Sequence, residues 1–164
     1  MILVRPATPL DIAAVDALLA RSYGPLLRAD YPPSALVTAL PRMARAQPRL
    51  LASGHYFLAE EDGRVLGCGG WSWEAPGDGR RAPGLAHVRH VATEAQSVRR
   101  GVGRRVLEAV VDDARQGNMR RLHALSTLTA VPFYRAMGFR ELGPVTLAFG
   151  APIAFPAVAM ERAL

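Results

Sequence analysis

The stretch Arg99-Arg100-Gly101-Val102-Gly103-Arg104-Arg105 decides how this chain is read. A β-like run, Leu85 to Thr93, precedes it, and an amphipathic helix follows it. Two glycines one residue apart, ringed by four arginines, therefore stand at the mouth of a helix. Glycine lets the backbone come close to a ligand, and the free N–H groups of a helix's first turn point at anions. Arginine adds charge-assisted hydrogen bonds. The combination implies a phosphate-rich ligand. A dinucleotide site would want Gly or Ala three residues beyond Gly103, where Val106 stands. A P-loop needs a lysine, and the chain has none.

Working outward, Val102 to Gln116 reads as a helix, because Val102, Val106, Ala109, Val110 and Ala114 form one apolar stripe. Gly117-Asn118 terminates it. Leu122 to Ser126 follows as a strand, so the strands on either side of this helix should be parallel. Upstream, His55–Glu60 and Val65–Trp73 flank the turn signal Asp62-Gly63 and form a hairpin. Ala75 to Pro83 is a Gly/Pro/Arg loop. At the start, Ile2–Arg5 is a short strand. Thr8, Pro9 and Asp11 then supply an N-cap, a first helical position and a capping-box acid. The helix they open carries Ile12, Val15, Leu18 and Leu19 at core spacing, and Gly24-Pro25 is expected to break it. Pro33 to about Gln47 is a second helical region with Leu36, Leu40 and Met43 on one face. Pro41 should kink it or split it into two short pieces. Downstream, Pro132 opens a short helix ending at Gly138, and strands near Glu141–Phe149 and Ala157–Arg162 close the chain. The order predicts a mixed α/β sheet with helices on both faces.

With 164 residues, the chain is expected to be one domain, residues 1–164. Half the residues are hydrophobic, which excludes a disordered chain. All 20 basic residues are arginine, and the net charge of +6 favours anionic ligands. The arginines run from Arg5 to Arg162 with acids mixed among them, so no continuous basic face for nucleic acid is expected. Cys68 is the only cysteine, and no Cys/His spacing suggests a metal. It reads as a small buried hydrophobe. A reduced, cytoplasmic setting is the expectation, and Met1 to Pro6 does not read as a signal peptide. Leu142 to Met160 is uncharged, but Gly143, Pro144, Gly150, Pro152 and Pro156 are too dense for a membrane-spanning helix. It reads as two buried strands joined by an apolar loop.

From Leu85 to Phe139 the chain resembles the GCN5-related N-acetyltransferase (GNAT) superfamily. Three parts carry the resemblance: the strand Val88-Arg89-His90-Val91-Ala92-Thr93, the loop Arg99-Arg100-Gly101-Val102-Gly103-Arg104, and Pro132-Phe133-Tyr134-Arg135-Ala136-Met137-Gly138-Phe139. They are similar to the family's strand 4, its pyrophosphate loop and its FY-x-x-x-GF helix after strand 5. Val4–Thr8 and the hairpin Asp62–Gly67 also look like the family. The resemblance implies a three-layer α-β-α fold with a six- to seven-stranded mixed sheet, in which strands 4 and 5 are parallel and splayed. Two positions depart from the pattern. Val98 holds the place of the loop's usual Gln or Arg, and Thr127 that of an asparagine that often bonds pantetheine.

The resemblance implies a direct transfer of an acetyl group from acetyl-CoA to a primary amine. Backbone N–H groups of residues 99–104 would cradle the pyrophosphate. The cofactor-binding set is Val91, Ala92, Thr93, Arg99, Arg100, Gly101, Val102, Gly103, Arg104 and Thr127. A main-chain N–H near Val91–Thr93 would serve the thioester oxygen, Arg104 the phosphates and Arg100 the adenosine 3′-phosphate, while Arg105 faces solvent. Tyr134 would be the general acid for the leaving thiolate. His87, His90, Glu94 or a relayed water would take the amine proton. Strand alternation puts His87 and His90 on opposite faces unless a bulge intervenes. Trp71, Trp73, Tyr23 and Tyr31 are either core or acceptor-pocket residues. No metal is implied. The acceptor, a small molecule or a peptide amine, is left open, as is a homodimer built on the apolar C-terminal strands. A non-catalytic acyl-CoA binder with the same fold is the alternative.

Overall fold

The computed structural model describes residues 1–148 and 154–164. The elements are β1 (Leu3–Pro6), α1 (Ile12–Leu27), α2 (Pro33–Met43), α3 (Pro48–Ala52), β2 (Tyr56–Glu61), β3 (Arg64–Ser72), β4 (Leu85–Thr93), α4 (Val102–Gln116), β5 (Arg121–Thr127), α5 (Val131–Ala136), β6 (Arg140–Leu147) and β7 (Phe155–Ala163). The seven strands form one sheet in the order β1-β2-β3-β4-β5-β7-β6. Every neighbouring pair is antiparallel except β4–β5, which is parallel. On one face α4 buries Leu107, Val110, Val111 and Ala114 against Trp71, Ala86, Val88 and Leu122, and Val102 and Val106 against Ala59 and Leu66. On the other, Val15, Leu18 and Leu19 of α1 and Leu50 and Leu51 of α3 pack on Leu58, Cys68 and Ala92. The three-layer architecture follows from two apolar sheet faces that each need a cover.

Local signals explain many of the element ends. Thr8 accepts from the Leu10 N–H, and its own N–H donates to Asp11, a complete capping box on a short 3₁₀ turn that leads into α1. Asp62 and Gly63, with φ of 51° and 77°, close the β2–β3 hairpin. Two expected breaks do not occur. α1 continues through Gly24-Pro25, because Leu27 is buried against Tyr31, Leu36 and Phe155. α2 continues through Pro41, which deprives only the carbonyl of Val37 of its partner. Val37 is 75% exposed, so this turn of the helix faces solvent rather than the core. Helix α3, unexpected from the sequence, comes next. The region Leu142–Met160 is not two buried strands. β7 buries Phe155, Ala157, Ala159 and Met160, but β6 is an edge strand whose exposure alternates. The expected end of β6 at Phe149, and Gly150 and Pro152 of the apolar loop, lie outside the described residues.

The parallel pair is short. β4 and β5 are in register only at Leu85↔Arg121, Ala86↔Leu122 and His87↔His123. Beyond that point the strands diverge. The cause lies on the other side of β4, where its pairing with β3 slips between Cys68↔Ala92 and Gly70↔Arg89. His90 and Val91 of β4 there oppose the single residue Gly69, which makes a β-bulge, and His90 takes φ 48°. A Cβ on Gly69 would lie 2.8 Å from Val91 and 3.0 Å from Val106, so the bulge needs glycine opposite it. A bulge bends and twists its strand, and this one turns the end of β4 away from β5.

One carboxylate ties the end of β4 to α1, the β2–β3 hairpin and the loop toward α4. Glu94 is 5% exposed and bonds Arg21 Nε (3.0 Å), Arg64 and Ser97 Oγ (2.9 Å). Ser22 Oγ donates to the Thr93 carbonyl at 2.6 Å, fastening α1 to the same point. Removing the charge leaves these donors poorly matched, at about 2 kcal/mol for hydrogen bonds to a charged group. Glu94→Gln should therefore lower the unfolding free energy by about 2 kcal/mol in urea titrations at neutral pH. The Ser97 and Arg64 contacts hold the Glu94 carboxyl below its ordinary 4.5 against the opposing effect of burial. Its contribution is therefore full above that value and is lost as pH falls through the folded-state value. The difference between wild type and Glu94→Gln should shrink in acid.

Candidate active site

The gap between β4 and β5 opens into a cleft of about 1590 Å³. Pockets for one drug-sized ligand run to roughly 1,000 Å³, so this one has room for a long ligand and a second molecule. Val88–Thr93 of β4 and Ala124–Thr127 of β5 form its walls, and the Arg99–Arg104 loop and α5 border it.

The loop presents its main chain. Arg99 and Gly101 both have left-handed backbone, φ 69° and 79°, with Arg100 between them on the ordinary side. Such alternation curls successive N–H groups toward a common concavity. A Cβ on Gly101 would meet nothing within 4 Å, so glycine here serves the backbone conformation. Gly101 is the N-cap of α4, with no side-chain cap, and the first helix bond is the Arg105 N–H to the Gly101 carbonyl at 3.1 Å. No acceptor among the described residues meets the N–H groups of Gly101, Val102, Gly103 or Arg104. Four unsatisfied donors at the positive end of a 15-residue helix face the cleft.

Of the residues expected at the site, Val91, Ala92, Thr93, Arg99, Gly101, Val102, Gly103, Arg104, Thr127, His90 and Tyr134 all border the cleft. Arg100 and His87 do not. Arg100 reaches sideways to the hairpin and meets both carboxylate oxygens of Glu61, at 3.0 and 2.9 Å. Arg105 donates to the Ile2 carbonyl at 2.5 Å. His87 is 6% exposed and packs against His123, with ring centroids 5.6 Å apart. Glu94 is held by its arginine partners. Thr127 Oγ1 accepts from the Ala130 N–H at 3.2 Å and shapes the turn into α5. Among the four aromatics, only Tyr23 lines the cleft. Trp71 is fully buried and bonds Asp113, Trp73 packs edge-on to it, and Tyr31 stacks on Phe155 while bonding the Pro156 carbonyl.

Tyr134 is 6% exposed, and its hydroxyl bonds no described residue. Burial pushes the phenol above its ordinary 10, so it remains protonated at any working pH. The bulge brings His90 to the face that carries Arg89. Gln47 joins the two: its Oε1 accepts from Arg89 at 3.1 Å, and its Nε2 lies 3.2 Å from His90 Nε2. The arginine fixes which way the amide points, so Gln47 donates and His90 Nε2 accepts. Nδ1 then carries the proton of the neutral ring, and it is buried without a partner. Arg42, Arg45, Gln47 and Arg89 also line the cleft. The sequence reading missed them, because the only signal for Arg89 was its place beside a bulge that alternation does not reveal.

The description "Acetyltransferase (GNAT) family" fits residues 20–139, and the chain belongs to that family. A GCN5-related N-acetyltransferase from Rhodopseudomonas palustris superposes with a TM-score of 0.77 at 20% identity, covering 99% of this chain and 95% of that one. The PaiA N-acetyltransferase of Thermoplasma acidophilum, solved with coenzyme A, gives 0.75 at 11% identity over 100% and 99%. A ribosomal-protein-alanine N-acetyltransferase from Brucella melitensis gives 0.65 at 20% identity over 99% of both chains. A search among curated proteins gives no match. No helix among the described residues is long and apolar enough to cross a membrane.

Burial, aided by the Arg89 charge, pushes the His90 imidazole down to about 4. That lies below its ordinary 6.5, so protonation favours the unfolded chain, and stability should fall as pH drops from 6.5 toward 4. In an NMR titration the His90 ring should stay neutral until pH is near 4. A midpoint near 6.5 would contradict the buried placement.

Proposed function

We propose that the protein transfers the acetyl group of acetyl-CoA directly to a primary amine of an acceptor. One observation carries the reading: four unbonded helix-entrance amides open onto a cleft between two unpaired strand edges, with a free tyrosine hydroxyl in the same cleft. The coenzyme A in the Thermoplasma acidophilum neighbour supports it. The amides of Gly101–Arg104, with Arg99 and Arg104, hold the pyrophosphate. Val91, Ala92 and Thr93 offer the open edge of β4 to the pantetheine arm and the thioester oxygen.

The amine nitrogen attacks the thioester carbonyl, a C–N bond forms and the C–S bond breaks. Tyr134 gives the departing sulfur a proton. A phenol above 10 is a poor acid for a thiolate in water, whose conjugate acid is near 8.5. The cleft changes that balance. Desolvation raises thiols as well as phenols: burial pushes the Cys68 thiol up to about 12, and a leaving thiolate shielded by the cleft wall beside Tyr134 becomes more basic in the same sense. The amine must shed one proton. His90 at about 4 is too weak a base to keep it, and its Nε2 is engaged by Gln47, so a relayed water carries the proton away. His90 contributes by remaining uncharged beside the entering amine. His87, turned toward His123, takes no part.

Saturating acetyl-CoA should raise the melting temperature. Gly103→Glu should abolish that shift, since a Cβ there already lies 3.1 Å from Phe133 and 3.2 Å from Thr93, before the added charge meets phosphate. A normal shift in that variant would place the phosphates elsewhere. Tyr134→Phe should lower kcat about 100-fold at unchanged acetyl-CoA affinity, measured by thiol release over an amine panel. Tight binding by wild type with no turnover on any amine would instead make the protein an acyl-CoA sensor.

A further inference from the structure

The cleft carries more positive charge than its phosphate end uses. Arg42, Arg45, Arg89, Arg99 and Arg104 border it, and no Asp or Glu is among its described lining residues. A pyrophosphate accounts for Arg99 and Arg104, which lie past the end of β4. It does not account for Arg89, two residues beyond the last β4–β5 pair, at the closed end of the gap. From Arg89 to Thr93 the strand alone spans on the order of 13 Å.

Resting on the acyltransferase reading above, we propose that the acceptor is a small amine that also carries a carboxylate, and that Arg89 binds this carboxylate. Arg89 is half-buried, and its NH1 and NH2 donate to Ser72 Oγ (3.0 Å) and Gln47 Oε1 (3.1 Å), both uncharged. It forms no ion pair with any described residue, whereas Arg5, Arg21, Arg64 and Arg81 all meet carboxylates. The acid whose field reaches it is Glu74, and Glu74 is held by Arg81. A guanidinium has five donors, and two neutral acceptors leave its charge uncompensated. A partly buried cation without a counter-ion is unfavourable, and the planar fork matches a carboxylate bidentately.

The surroundings fit the same ligand. Arg42 and Arg45, at the end of α2 and just after it, are exposed at the rim and free of ion pairs with described residues, so they draw an anion inward. A polycationic amine would meet these arginines and no acidic residue among the described lining. His90, next to Arg89, adds no charge in its neutral state, so the amino group of such a ligand is not repelled. With the carboxylate on Arg89, the open edge of β4 leads the amine toward Val91–Thr93.

The test uses the full chain, acetyl-CoA and thiol release with matched acceptors: phenylalanine against phenethylamine, methionine against 3-(methylthio)propylamine, and spermidine as the cationic control. The carboxylate-bearing member of each pair should show kcat/KM higher by about tenfold or more. Arg89→Gln should erase that difference, mainly through KM, while keeping the melting shift with acetyl-CoA. Arg89→Lys, which keeps the charge and loses the fork, should retain part of it. Equal use of the pairs, preference for spermidine, or a preference that survives Arg89→Gln overturns the proposal. Should no amine release thiol while acetyl-CoA still binds, the transfer reading fails by itself. The arginine site is then read by calorimetric titration of phenylalanine and methionine into the CoA-loaded protein. Saturable binding lost in Arg89→Gln upholds it, and no saturable binding overturns it.

Discussion

The structure depends on a ladder that stops. After His87↔His123, the main chains of β4 and β5 no longer bond each other. Buried backbone groups without partners are unfavourable, so an interrupted ladder in the middle of a sheet has to face something polar. Here it faces a cleft of about 1590 Å³. The helix entrance at Gly101, the hydroxyl of Tyr134 and the guanidinium of Arg89 all open into that space. None would share a site if β4 and β5 were paired to their ends.

Charge divides the molecule into settled and unsettled regions. Arg21 and Arg64 are matched to Glu94 behind the loop, and Arg100 to Glu61 beside it. These pairs hold the loop from outside while its amides stay bare on the inside. Within the cleft, Arg42, Arg45, Arg89 and Arg99 have no acidic partner among the described residues, His90 is kept neutral, and Tyr134 is kept protonated. The matched pairs position the site, and the unmatched groups await its ligands.

The parts nearest the site are the most legible in the sequence. Leu85–Thr93 and Val102–Gln116 have the bounds that periodicity and terminators assign them, since a long amphipathic stripe ending at glycine leaves little choice. Helix α3 has five residues, too few to show a period. Pro25 and Pro41 read as breaks by a sound local rule, which burial of Leu27 and Met43 overrides. The face of His90 and the inward turn of Arg89 depend on Val91 meeting Gly69, a contact between residues 22 positions apart in the chain. Such contacts leave no local mark. The arginines of the loop are visible as charge, but which of them faces the cleft is settled by Glu61 on another hairpin.

Gly69 has a wider reach than its size suggests. It borders no ligand and carries no functional group, yet the missing methyl on β3 is what allows β4 to hold one residue too many. Without the extra residue, inward and outward positions beyond it would exchange, and an aliphatic chain would replace the imidazole on the cleft wall. Selection on the chemistry would thus be felt at a silent neighbour. Drift at position 69 would reshape the cleft wall without touching any residue that lines it.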